Sequence, residues 1–244
     1  MTKMYEANNH ILILTGYSDP AEHCHMAAHI LVSTGGNMVV HSGSLEYSVQ
    51  GILIPSGVSH RVNTDGAPVL VFLFDSTTRE ACQISDIQPI SEELCRDISD
   101  SYFQFAKNGT PDGYRRFYAH SLSRLGICQG PVSVTDGRIH LAMEYIRGNC
   151  AEKLTCAEIA KVACLSPSRF SHLFRQQVGM TFAAYVIYQR LLNVYCLVLS
   201  GISITEASLE AGFASPSHFA DCNRRIFGLS ATDITQDLLF QKVI

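Results

Sequence analysis

The sequence predicts a two-domain chain: an N-terminal all-β barrel followed by a helical hairpin, then a C-terminal all-α domain with two helix-turn-helix motifs. Three observations predict it. Residues 10–75 hold short apolar runs punctuated by Gly, Pro, Ser and Asn. Two runs of helical period follow between residues 91 and 125. Beyond residue 154 the chain says nearly the same thing twice. The expected boundaries are 1–80 for the barrel, 84–130 for the hairpin and linker, and 132–244 for the helical domain.

Composition narrows the class. The chain has 244 residues, 47% hydrophobic and 16% charged, with a net charge of −4. It is globular, and its overall charge argues against a strongly basic nucleic-acid binder. The distribution is uneven, however. Residues 1–131 hold 8 Lys and Arg against 13 Asp and Glu, whereas residues 132–244 hold 10 against 9. A near-neutral domain can still offer a local basic face. The nine cysteines show no C-x-x-C or metal-finger spacing, as expected in a reducing cytosol. Cys156, Cys164, Cys196 and Cys222 fall in helical patterns, where small apolar filling is the expected role. The apolar run Ile11–Leu14 is too short for a signal peptide or a membrane span, so the expected location is the cytoplasm, with no membrane partner.

In the N-terminal part the expected strands are His10–Thr15, Ala27–Ser33, Met38–His41, Leu45–Val49, Gly51–Ile54 and Val69–Asp75. Ser91-Glu92-Glu93 then opens a helix in which Leu94, Ile98, Tyr102 and Phe105 recur at spacings of three and four. Asn108-Gly109-Thr110-Pro111 ends it and turns the chain. A second helix, from Pro111 to Leu125, presents Tyr114, Phe117, Tyr118, Leu122 and Leu125. Two such stripes need cover, which either the barrel or a second subunit would supply. Residues 126–135 read as a linker, and Asp136 to Arg147 begins the C-terminal domain.

The duplicated stretch is the most informative. Thr155-Cys156-Ala157-Glu158 and Ser203-Ile204-Thr205-Glu206 are two capping boxes, each opening a short helix. Ser166-Pro167 and Ser215-Pro216 place an N-cap and a first-turn proline at the start of a second helix in each copy. The copies are 48 residues apart before the internal turn and 49 after it, so the second turn has one extra residue. On a wheel of about 100° per residue, Phe170, Leu173, Phe174 and Gln177 share one side of the first copy's second helix. Ser168, Ser171, His172 and Arg175 share the other, with Arg169 at the flank. In the second copy Phe219, Cys222, Asn223 and Ile226 face inward. Ser217, Ala220, Asp221 and Arg224 face outward, with His218 and Arg225 beside them. Short polar groups that admit a helix, and longer cations that reach edges and phosphates, are what major-groove reading requires.

These residues carry a resemblance. Residues from about 136 to 233 resemble the DNA-binding domain of AraC/XylS-type transcription regulators. The matching residues are Glu158-Ile159-Ala160, Ser166-Pro167-Ser168, Phe170, Phe174-Arg175 and Gly179 in the first motif. In the second they are Gly212-Phe213, Ser215-Pro216-Ser217, Phe219, Arg224 and Gly228. Arg190-Leu191, Val194 and Leu197-Val198-Leu199 resemble the family's connecting helix. Asn223 departs from the family's usual aromatic residue, Ser230-Ala231 from its Thr/Ser-Pro, and Asp221 sets an acid where relatives often read bases. The resemblance implies double-stranded DNA as partner, base-edge contacts from Ser168, Arg169, Ser171 and His172, and a phosphate contact from Arg175. In the second motif it implies Ser217, His218 and Asp221 on bases and Arg224 and Arg225 on phosphate. It also implies a homodimer, a small-molecule effector and RNA polymerase as a partner.

A second resemblance lies in the β region. Ile52-Leu53-Ile54-Pro55-Ser56-Gly57-Val58-Ser59-His60 is similar to the second cupin motif. His23-Cys24-His25 with His29 and Gly36 is similar to the first, with His29 in place of the acid. The resemblance implies a metal set of His23, His25, His29 and His60, whose imidazoles suit Zn, Fe, Ni or Cu. The rival readings are therefore a metal-dependent cupin enzyme and a protein-interaction module without DNA binding. No acid, base or carboxylate ligand accompanies the histidines, so no enzyme activity is expected.

Overall fold

The computed structural model describes residues 3–7, 10–16, 22–24, 27–74, 76, 78–129, 134–178, 180–227 and 239–242. His25, Gly130, Pro131, Gly179, Gly228, Ser230 and Ala231 lie outside them. The chain divides into two compact units, residues 132–230 and residues 1–131 with 231–244.

In the first unit, β1 (Lys3–Ala7), β2 (His10–Thr15), β3 (Ala28–Ser33), β6 (Gly51–Ile54), β8 (Val69–Phe74), β9 (Gln88–Ile90) and β10 (Leu239–Lys242) form one sheet. Its order is β10-β1-β2-β8-β3-β6-β9. A second sheet, ordered β5-β4-β7, contains β4 (Met38–Ser42), β5 (Leu45–Val49) and β7 (Arg61–Asn63). The expected β-rich unit is thus built from two sheets, neither of which closes on itself among the described strands. The centre is β2-β8-β3, where all six residues of β3 and all six of β8 are buried. Buried on both faces, β8 reads in sequence as the unbroken run Val69-Leu70-Val71-Phe72-Leu73-Phe74. Its partners are antiparallel, with Leu12 opposite Phe72 in β2 and Ile30 opposite Phe72 in β3.

Against this sheet lie α1 (Arg79–Gln83), α2 (Glu92–Asn108) and α3 (Pro111–Arg124). The turn chemistry acts as the sequence requires. The Ser91 hydroxyl accepts from the Leu94 amide, Gly109 ends α2 at φ 59°, and Thr110 caps α3 ahead of Pro111. The stripes of both helices join one buried cluster with the sheet: Tyr102, Phe105, Tyr114, Phe117 and Leu122 pack with Leu12, Ile30 and Phe72. Of the two ways to cover them, packing on the sheet is the one found. The core also holds polar groups. His10 shares a 2.7 Å hydrogen bond with the Tyr114 hydroxyl and stacks on Tyr118 at 4.0 Å. Burial pushes its pKa down to about 3, so the ring is neutral. Tyr118 in turn donates to Oε1 of the buried Glu80 at 3.2 Å.

Strand β10 pairs in parallel with β1, so Leu239–Lys242 belong to the first unit's sheet. The second unit holds α4 (Gly137–Asn149), α5 (Cys156–Val162), α6 (Pro167–Val178), α7 (Phe182–Leu199), α8 (Ile204–Glu210) and α9 (Pro216–Phe227).

Candidate nucleic-acid interface

Helices α5-α6 and α8-α9 are the two copies, and α7 joins them. Thr155 and Glu158 form a complete capping box at α5. At α8 the Ser203 hydroxyl accepts from the Glu206 amide at 3.2 Å and reaches Glu206 Oε2 at 2.7 Å. The second helices begin alike: Ser166 accepts from the Arg169 amide at 3.3 Å and Ser215 from the His218 amide at 3.1 Å. The turns match as well. Leu165 N–H donates to Ala160 and Phe213 N–H to Ser208, the six-to-one bonds of a left-handed helix end. The left-handed residue is Cys164 in the first turn and Gly212 in the second. The extra residue of the second copy falls after that point, between Gly212 and Ser215.

The inward faces are as the wheel predicts. Phe170, Leu173 and Phe174 are buried beneath α6, and Phe219, Cys222 and Asn223 beneath α9. Gln177 is half-buried, its Oε1 accepting from the Thr135 and Asp136 amides at 2.8 and 3.2 Å, which ties the end of α6 to the start of α4. All ten candidate contact residues are exposed: Ser168, Arg169, Ser171, His172 and Arg175 on α6, and Ser217, His218, Asp221, Arg224 and Arg225 on α9. One carries an unforeseen contact. The Ser171 hydroxyl lies 3.1 Å from the Cys156 thiol of α5. Beside α6 opens a cleft of about 440 Å³, lined by Ser171, His172 and Arg175 together with Cys156, Thr181, Phe182 and Ala183. Thr181 caps α7 by accepting from the Ala184 amide, so the cleft combines an Arg with the positive end of an 18-residue helix. Met180-Thr181-Phe182, a capping residue ahead of an apolar run, is the sequence signal for it.

Helix α7 is the frame. Near its start Tyr185 meets Phe174 of α6 edge-on at 5.6 Å and accepts from Arg147 of α4 at 3.1 Å. Midway, Arg190 donates to the carbonyls of Cys150 and Glu152 at 2.6 and 2.9 Å. Near its end Tyr195 meets Phe219 of α9 at 6.5 Å and donates to Asn223 Oδ1. Burial pushes the Tyr195 pKa up, so it remains a donor. Next to α6, Arg138 hydrogen-bonds Asp136 and, with a smaller contribution from Arg169, holds that carboxyl down at about 2. Not every helical cysteine is filler. Cys222 is buried, whereas Cys164 and Cys196 are exposed.

The histidines of the β unit are only partly assembled. His23 and His60 are bridged through their backbones, with rings 4.5 Å apart, and His29 lies 5.2 Å from His60. The His60 Nδ1 donates to the Val58 carbonyl at 2.8 Å, and burial lowers its pKa to about 4. Among the described residues no three His, Cys, Asp or Glu side chains are arranged to hold a metal ion. Of the four residues that the cupin motifs imply, His23, His29 and His60 lie close together, and His25 falls outside the described residues.

Two capped helix pairs in tandem, each presenting an exposed polar and cationic helix face, define a tandem helix-turn-helix domain of the DNA-binding class. A family model described as a helix-turn-helix domain matches residues 159–237. The probable transcriptional regulator LumQ of Photobacterium leiognathi is 34% identical over 89 residues, 36% of this chain and 36% of that protein. The arabinose operon regulatory protein of Escherichia coli is 31% identical over 100 residues, 40% of this chain and 34% of that protein. The matched segments thus span about a third of the length of these relatives. Across nearly the whole chain the fold is that of ToxT from Vibrio cholerae, with a TM-score of 0.58 at 12% identity, covering 97% of this chain and 96% of that one. The helical unit of this chain is similar to the DNA-binding part of AraC/XylS-type transcription regulators. No helix among the described residues is long and apolar enough to cross a membrane.

Proposed function

We propose that the protein regulates transcription by reading operator DNA sequence-specifically, with α6 and α9 entering adjacent major-groove segments of one duplex. The single observation that carries this reading is the pair of exposed faces held on one helix, Ser168 to Arg175 and Ser217 to Arg225. Groove segments met this way lie about one helical turn, ~34 Å, apart. Ser168, Arg169, Ser171 and His172 read base edges. Arg175, beside the N-terminus of α7, takes a backbone phosphate, since both groups favour an anion. In the second motif Ser217, His218 and Asp221 read bases, Asp221 by accepting from cytosine N4. Arg224 and Arg225 hold phosphate.

The remaining roles rest on the family resemblance alone. The N-terminal unit takes a small-molecule effector and supports a homodimer, RNA polymerase is the partner at the promoter, and the protein works in the cytoplasm. Selection of fragments from random duplex DNA tests the central reading. Two short boxes one turn apart are expected in the recovered sequences. Recovery of no common sequence would leave the protein-interaction reading in its place.

A further inference from the structure

The two recognition helices are fixed to α7 by different chemistry at the same repeat position. In the first copy that position is Phe174, packed edge-on against Phe182 and Tyr185 and tilted against Phe170. Forty-nine residues on it is Asn223, which is fully buried in the middle of the apolar face of α9. Its Oδ1 accepts from the hydroxyl of Tyr195, which is also buried. An aromatic seam tolerates small slides and rotations, because ring contacts are many and weakly directional. A buried hydrogen bond does not, because a shift leaves donor and acceptor without partners where water cannot replace them. One polar residue in an apolar seam is a known means of fixing register. Tyr185 and Tyr195 are ten residues apart on one helix, about 15 Å along its axis, so each motif has its own anchor.

We propose that Tyr195 and Asn223 are a positioning pair that fixes α9 on α7 in one orientation, and so sets the spacing between boxes at which the second motif can read DNA. The first motif, seated on rings, adapts to its box, and the second imposes the distance. This inference rests on the DNA-binding reading above and adds a determinant of operator architecture to it.

The test uses the full chain and duplexes carrying the selected pair of boxes, with one base pair inserted or removed between them. For the wild type a one-base-pair change is expected to weaken binding by about tenfold or more, comparable to a mismatched base pair. Tyr195→Phe removes only the hydroxyl. It is expected to keep affinity for a duplex bearing the first box alone while reducing the spacing penalty to about threefold or less. The double variant Tyr195→Phe/Asn223→Leu, which removes both members of this hydrogen bond, provides a second protein and is expected to show the same loss of discrimination. A role in stability alone would lower the melting temperature of Tyr195→Phe and leave the spacing penalty intact in both variants, which would overturn the proposal. A wild-type chain that selects no duplex at all would instead overturn the DNA-binding reading on which it rests.

Discussion

Cys164 and Gly212 occupy one position in the two copies of the motif, and both hold the left-handed backbone, at φ 52° and 90°. The turn geometry demands that conformation, yet only the second copy uses the residue suited to it. A Cβ on Gly212 would lie 2.3 Å from the Ala151 carbonyl oxygen, a backbone atom that cannot turn aside. Gly212→Ala is therefore expected to destabilise the helical unit by about 2 kcal/mol or more, read as a lower denaturation midpoint.

At Cys164 the opposite change is favourable. The side chain is exposed and no buried contact is lost. Relief of the left-handed strain outweighs the added freedom of the unfolded chain, so Cys164→Gly is expected to stabilise by up to about 1 kcal/mol. An unchanged or lower midpoint would show that the turn accepts its cysteine without cost.

His10 predicts a pH dependence of the first unit. Its folded pKa, about 3, lies below the ordinary value near 6.5, so the unfolded chain takes up the proton first. The neutral ring's contribution is complete above about pH 6.5 and is lost as pH falls toward the folded value. Between pH 7 and pH 5 the loss is on the order of 2 kcal/mol. His10→Gln should flatten the unfolding free energy of this unit over that interval, and an identical slope in the variant would assign the effect elsewhere.

On DNA, Arg175 and His172 should separate by role. Arg175→Ala is expected to weaken binding alike on every sequence and to reduce the slope of log affinity against log salt by about one. His172→Ala should leave that slope unchanged and relax preference at particular base pairs, by about 1–3 kcal/mol each. Base-specific loss from Arg175→Ala would reverse the two assignments.

The helical unit was legible because its signals are local. Thr155 with Glu158, Ser166 with Pro167 and Ser215 with Pro216 satisfy amides within three residues, so spacing alone locates the helix starts. The exposed faces follow from the same period. What spacing does not reveal is the partner of a residue far away. Nothing near Asn223 announces Tyr195, and nothing near Ser171 announces Cys156. Strands β1, β7 and β9 were not legible either, for a local reason. The three-residue strands β7 and β9 have no readable alternation, and β1 carries too mixed a sequence, Lys-Met-Tyr-Glu-Ala, to stand out. The cysteines misled where periodicity stood in for burial, since a helical pattern runs straight through the exposed Cys164.

The pairing of Leu239–Lys242 with Lys3–Glu6 makes the helical unit an insertion in a fold that begins before it and finishes after it. Cutting the gene at residue 131 would yield an amino-terminal fragment lacking one of its own strands, with the edge of β1 stripped bare and able to recruit any passing chain. A better expression design would delete residues 132–230 and splice the two remaining pieces through a short flexible bridge.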